Sequence, residues 1–171
     1  GRYTIETPAA VAAVRGTEFR VAALADGMLA ETISGEVSLS NHRGETRLGT
    51  ATGAYAAAGK APGQAIRLLP APNVEALPGA IDRLPFRLPI GAVAGAVQYR
   101  TQISPQQNFT ALASDLVGDE AAALGSAALA DGRYHVRVRA IDSRGLEGLS
   151  AEREIVVDAR PEPRFPSQPA A

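Results

Sequence analysis

The chain has 171 residues and a mass of 17.7 kDa, enough for one large domain or two small ones. Apolar residues make up 46% and charged residues 20%, the composition of a globular chain. Seventeen Lys+Arg against 18 Asp+Glu leave a net charge of −1, without the basic footprint of a nucleic-acid binder, and the absence of cysteine excludes a disulfide scaffold, a zinc finger and a thiol nucleophile.

In chain order, Tyr3–Ile5 reads as a first short strand, closed by Thr7-Pro8. Ala12–Leu24 alternates around Phe19 and Val21, and Asp26-Gly27 follows as a turn. Leu29–Ile33 and Val37–Leu39 read as two strands separated by Gly35; Asn41–Gly44 is a further turn and Thr46–Leu48 a further strand. The alanines favour helix by propensity, but a glycine every eight to ten residues argues against it. From Gly59 to Pro85 prolines and glycines crowd together, as in a connector.

Beyond it, Leu84–Leu88 is expected to be a strand. Val97, Tyr99, Thr101 and Ile103 are expected on one face of another. Tyr134, Val136, Val138 and Ala140 alternate with His135, Arg137, Arg139 and Ile141, between turns at Asp131-Gly132 and Ser143–Gly145. Glu154–Val157 closes the series. Asn108–Leu116 and Asp119–Leu129 fit no single pattern. The tail from 160 to 171 holds four prolines and reads as an extended spacer. No run of about 18 apolar residues suggests a membrane span.

Motifs for chemistry are sparse. His42 and His135 fall in different halves and read as exposed side chains. Glu152 and Glu154 share a strand face, which an exposed sheet explains as well as a carboxylate pair does. Asn108-Phe109-Thr110 matches the N-glycosylation pattern, a match that arises often by chance. There is no phosphate loop, and Lys60 is the only lysine. Arg133, Arg137 and Arg139 line one face of a strand; they are either a binding face for an anionic polymer or a solvated face neutralised by Asp142 or Glu154. No catalytic residue, metal ligand or cofactor is expected.

Val14-Arg15-Gly16-Thr17-Glu18-Phe19-Arg20-Val21 resembles the V-R-G-T-x-F-x-V signature of the FecR domain, with Thr7–Ala12 and Ile33–Val37 matching its flanks. In residue terms, Gly16 allows a bend, Thr17 suits a strand, and Phe19 and Val21 are core anchors. Arg15 either bonds carbonyls in a tight turn or faces a partner. The resemblance covers 1–61, implies an all-β, short, twisted β-solenoid-like module, and suggests that the chain starts inside that domain. Ala128–Asp142 and Ala94–Arg100 resemble a fibronectin type III or Ig-like antiparallel β-sandwich over 84–159, with 62–83 a Pro/Gly-rich linker carrying its first strand and 160–171 a tail. That second resemblance makes Tyr134 a tyrosine-corner residue and leaves Phe86, Leu88 and Ile90 to fill the place of a missing tryptophan.

The resemblance implies a non-enzymatic binding or scaffolding module of an exported periplasmic or cell-envelope protein, of the kind linked to a LysM module. Its partner would be an envelope protein or peptidoglycan. One alternative is a FecR-type sensor that relays a signal from a TonB-dependent transporter to an anti-sigma/sigma system; another is an accessory module beside a catalytic domain. Neither nucleic acid nor a membrane span is expected, and self-association is expected through an exposed strand edge.

Overall fold

The computed structural model describes residues 2–87, 89–119 and 129–159, and of residues 2, 3 and 15–17 the backbone alone. Eleven strands and no helix occur among the described residues, so the fold is all-β. The strands are β1 (Arg2–Glu6), β2 (Val11–Leu24), β3 (Gly27–Asn41), β4 (Gly44–Leu48), β5 (Thr52–Ala57), β6 (Ile66–Arg67), β7 (Ala80–Ile81), β8 (Ala96–Ser104), β9 (Ser114–Gly118), β10 (Gly132–Asp142) and β11 (Ala151–Val157).

The first sheet has the order β1-β2-β3-β5-β6, and β4 pairs with the far end of β3. Every pairing in it is antiparallel. This hairpin succession differs from the solenoid implied by the family resemblance. Where the sequence suggests two strands on either side of Gly35, one 15-residue strand runs through, with Gly35 at φ +84°. Opposite it, the β2 register shifts between Arg15 and Phe19.

The shift resets the alternation. Ala12 and Val14 face the core before it, and Phe19 and Val21 pack against the same core after it. The matching change in β3 moves the core face from Val37 and Leu39 to Met28 and Ala30. Both registers contribute to one alanine-rich core that includes Ala9, Ala10, Ala54 and Ala56. Small side chains let neighbouring backbones approach closely, which explains why a helix-favouring residue serves strands here.

The second sheet has the order β7-β11-β10-β8-β9, with β7 parallel to β11 and the remaining neighbours antiparallel. Its inner face carries Tyr99, Ile103, Tyr134, Val136, Val138, Ala140, Ile155 and Val157. That core is closed by Leu77 and Leu129, with Leu84, Phe86 and Ile90 packed against it. The expected strand at Leu84–Leu88 is not a named strand: Pro85 and Pro89 remove ladder donors there, and Leu88 lies outside the described residues. Val97 is 54% exposed rather than inward, because the register breaks between Ile141 and Asp142 as β10 meets the start of β8. Residues 62–83 hold β6 and β7, and Leu68 and Leu77 in that stretch are buried, so the connector is packed onto both sheets.

Candidate functional site

The junction of the two sheets gathers most of the buried charge. It is built from the β10–β11 loop. Asp142 shapes that loop: its Oδ1 accepts from the backbone N–H of Arg144 (2.8 Å) and of Leu146 (3.0 Å), and Gly145 takes φ +88°. The result is to aim Leu146, only 2% exposed, into a cluster with Leu29 and Leu68, flanked by Ile33, Tyr55, Ile66 and Leu149. Gly53 makes this approach feasible, since a Cβ there would lie 3.0 Å from both Leu146 Cδ2 and Leu68 Cδ2.

Beside the leucines runs an ionic network. The register shift leaves Arg20 facing away from the Phe19 and Val21 side. Its Nε donates to Glu31 Oε2 (2.6 Å), and its Nη2 to the carbonyls of Glu147 (2.6 Å) and Gly148 (2.8 Å). Glu31 Oε1 in turn accepts from the Glu147 backbone N–H at 2.5 Å. Arg100 and Arg139 stand directly opposite each other on β8 and β10, an unfavourable like-charge pair. The Glu147 carboxylate resolves it by bridging both, Oε1 to Arg100 Nη1 at 2.9 Å and Oε2 to Arg139 Nη1 at 2.7 Å. Asp115 holds the other side of Arg100 at 2.6 and 2.7 Å. Arg139 is completed by Ser150 Oγ (2.9 Å) and Gln102 Oε1 (3.3 Å).

The electrostatics follow from this wiring. Burial pushes the Glu31 carboxyl above its ordinary value against the opposing pull of Arg20. At Glu147 burial acts in the same upward sense, but the hydrogen bonds and charges of Arg139 and Arg100 outweigh it and hold the carboxyl low. Asp115 is held low by its hydrogen bond to Arg100.

Two clefts flank the network. One, of about 480 Å³, is lined by Glu18, Phe19, Ile33, Arg137, Leu149 and Glu152 among others. The other, of about 190 Å³, includes Val21, Leu29, Gln102 and Gly145; Arg20 and Arg139 line both.

The sequence-derived candidates are distributed as follows. Arg15, Gly16 and Thr17 form the shifted stretch of β2, where Arg15 pairs with Glu36; their side chains lie outside the described residues. Phe19 and Val21 are half-buried at the margin of the first core. Tyr134 is 9% exposed and its hydroxyl donates to the carbonyl of Ala130, four residues upstream, at 3.1 Å. The three arginines do not form one uniform solvated stripe. Arg133 pairs with Glu154; Arg137 donates to Glu152 (2.7 Å) and lies over the Phe109 ring, 3.7 Å from its centroid; Arg139 is buried in the network. Asp142 takes Arg144 instead. His42 is exposed and His135 is half-buried. Among the described residues no group of three or more His, Cys, Asp or Glu could hold a metal ion, and no helix is long and apolar enough to cross a membrane.

The residues that sequence reasoning missed are Glu31, Arg100, Leu146 and Glu147. Glu31 carries a faint signal, a charge embedded in the apolar run Met28–Ile33. Leu146 and Glu147 look like ordinary turn residues, because their contacts with the first sheet, to Leu29, Arg20 and Glu31, join positions more than a hundred apart.

No family model matches the chain, and no curated protein matches it. Among solved structures it is similar to the extracellular domain of a putative one-component system of B. thetaiotaomicron and to that of a putative hybrid two-component system of the same organism. Identity is 8% in both, the TM-score is 0.33, and 92% of this chain is covered. The chain spans under a third of those structures, 29% and 30%. A likeness at that score carries no argument about the task of this chain.

Proposed function

We propose that the chain is a non-enzymatic binding and spacing module of an exported cell-envelope protein, in which a FecR-like half and a fibronectin-like half act as one recognition unit. The observation that supports this reading is the junction. Leu146, Glu31, Arg20 and Glu147 interlock the halves through direct contacts, while the clefts beside them keep half-exposed polar and apolar groups together at the surface. Concave surfaces with a few oriented polar groups are where ligands are commonly held.

The test is retention of the protein on purified peptidoglycan sacculi, run beside a soluble periplasmic extract. Retention on sacculi, weakened in an Arg133→Ala/Arg137→Ala double variant, is the expected result. Arg139 is left intact in that variant because it belongs to the buried network. Capture of a transporter's periplasmic domain from the extract, with no retention on sacculi, overturns the anchoring reading in favour of a signalling one.

A further inference from the structure

A separate cavity of about 730 Å³ lies at the tip of the β2–β3 hairpin, lined by Leu24, Asp26, Tyr55, Gln64, Ile66 and Arg144 among others. Arg144 comes from the β10–β11 loop and the rest from strands of the first sheet and the segments that join them, so docking of the two halves is what completes it. The geometry points to a saccharide site here, recognising a sugar that carries an acetamido group. The inference rests on the binding-module reading and names the chemistry of its ligand.

Tyr55 is the platform. A Cβ on Gly27 would lie 2.5 Å from Tyr55 Cε2, so the ring occupies the space a side chain would take there. The hydroxyl donates to the Asp26 carbonyl at 3.1 Å, which fixes the ring in its plane before any ligand arrives. A pre-positioned aromatic ring suits the C–H face of a pyranose, and prior fixation reduces the entropy lost on binding.

The rim supplies what the hydroxyls of a sugar require, acceptors and donors together. The exposed Asp26 carboxylate accepts, and the Arg144 guanidinium donates. Arg144 is held by one long contact, 3.5 Å to Asp142 Oδ2, and its side chain is 57% exposed. Gln64 offers both functions and makes no side-chain hydrogen bond among the described residues. Leu24, 44% exposed, and half-buried Ile66 leave an apolar spot beside these groups, suited to an acetamido methyl whose amide can meet Asp26 and Arg144. A wholly apolar ligand would leave three polar groups without use, and a phosphate would face the Asp26 carboxylate.

The experiment is an NMR titration of the whole labelled chain with the tetramer of N-acetylglucosamine, with the glucose tetramer and a capped tetra-alanine peptide as comparisons. Saturable shifts at Asp26, Gln64, Ile66 and Arg144 are expected, with the glucose tetramer weaker. Arg144→Ala and Gln64→Ala are each expected to weaken binding by about fivefold, on the order of one lost hydrogen bond. Tyr55→Ala is expected to abolish it. Should Tyr55→Ala fail to fold, the two exposed substitutions decide. No saturable shift up to about 10 mM, a range that covers weak binding, overturns the site. So does tighter binding of the peptide, or unchanged binding by the Arg144 and Gln64 variants. Retention on sacculi without tetramer binding overturns this site and leaves the binding-module reading standing; loss of both removes both.

Discussion

Glu147 is the residue on which most of the buried charge depends. Removing its carboxylate leaves Arg100 and Arg139 facing each other across β8 and β10. Glu147→Ala is therefore expected to cost about 3 kcal/mol, the scale for breaking a buried pair, read as a lower urea midpoint. The pH dependence has two opposite contributions. Glu147 is held low in the folded state, so its stabilisation is present above the ordinary glutamate value of 4.5 and is lost as pH falls through its depressed value. Glu31 is held high, so its contribution is present below 4.5 and is lost as pH rises through its raised value. Stability measured against pH should fall less steeply on the acid side in Glu147→Gln than in the parent protein, and more steeply in Glu31→Gln. The hydroxyls of Thr32 and Thr101 are buried with no partner among the described residues. Thr32→Val is expected to stabilise by about 1 kcal/mol, the order of the cost of an unpaired hydroxyl, measured by thermal or urea unfolding.

At the scale of elements, β3 explains what was legible and what was not. Its alternating stretch Val37–Leu39 and the turns at Asp26-Gly27 and Asn41–Gly44 are readable locally, because a strand period and a turn residue are properties of neighbours. Its continuity through Gly35 is not, since that depends on the matching shift in β2. Nor is the burial of both faces of Met28–Thr32, which arises when the connector and the β10–β11 loop cover the face carrying Leu29 and Glu31. The candidate site was less legible than the fold. Arg137 and Arg139 are visible as alternating charges, while the carboxylates that bind them are set by tertiary placement. Gly53 is the element-scale test. Gly53→Val should drive β5 away from Leu146 and Leu68 and cost about 2 kcal/mol, as overpacking does, with amide shifts spreading into the β10–β11 loop.

For the whole molecule, the loop contacts and the buried connector make the two halves depend on each other. Calorimetry of the parent protein is expected to show one cooperative transition. Leu146→Asp, which places a carboxylate among Leu29, Leu68 and Ile66, should split it into two and open the 59–85 connector to protease. A single unchanged transition in that variant would mean that the connector alone couples the halves.

The Arg20 and Glu31 contacts to the β10–β11 loop span 116 to 128 positions of sequence, whereas the pairing of β2 with β3 is a local hairpin. Distant contacts close late because the intervening chain must first be ordered. During synthesis the first sheet can form while its partner loop is still unmade, leaving Leu29 and Leu68 uncovered until Leu146, 78 positions after Leu68, leaves the ribosome. At about 5–20 residues per second that interval lasts roughly 4–16 s. The nascent chain thus carries a temporary sticky face, and a chaperone that shields it in that window should raise the yield of the folded protein.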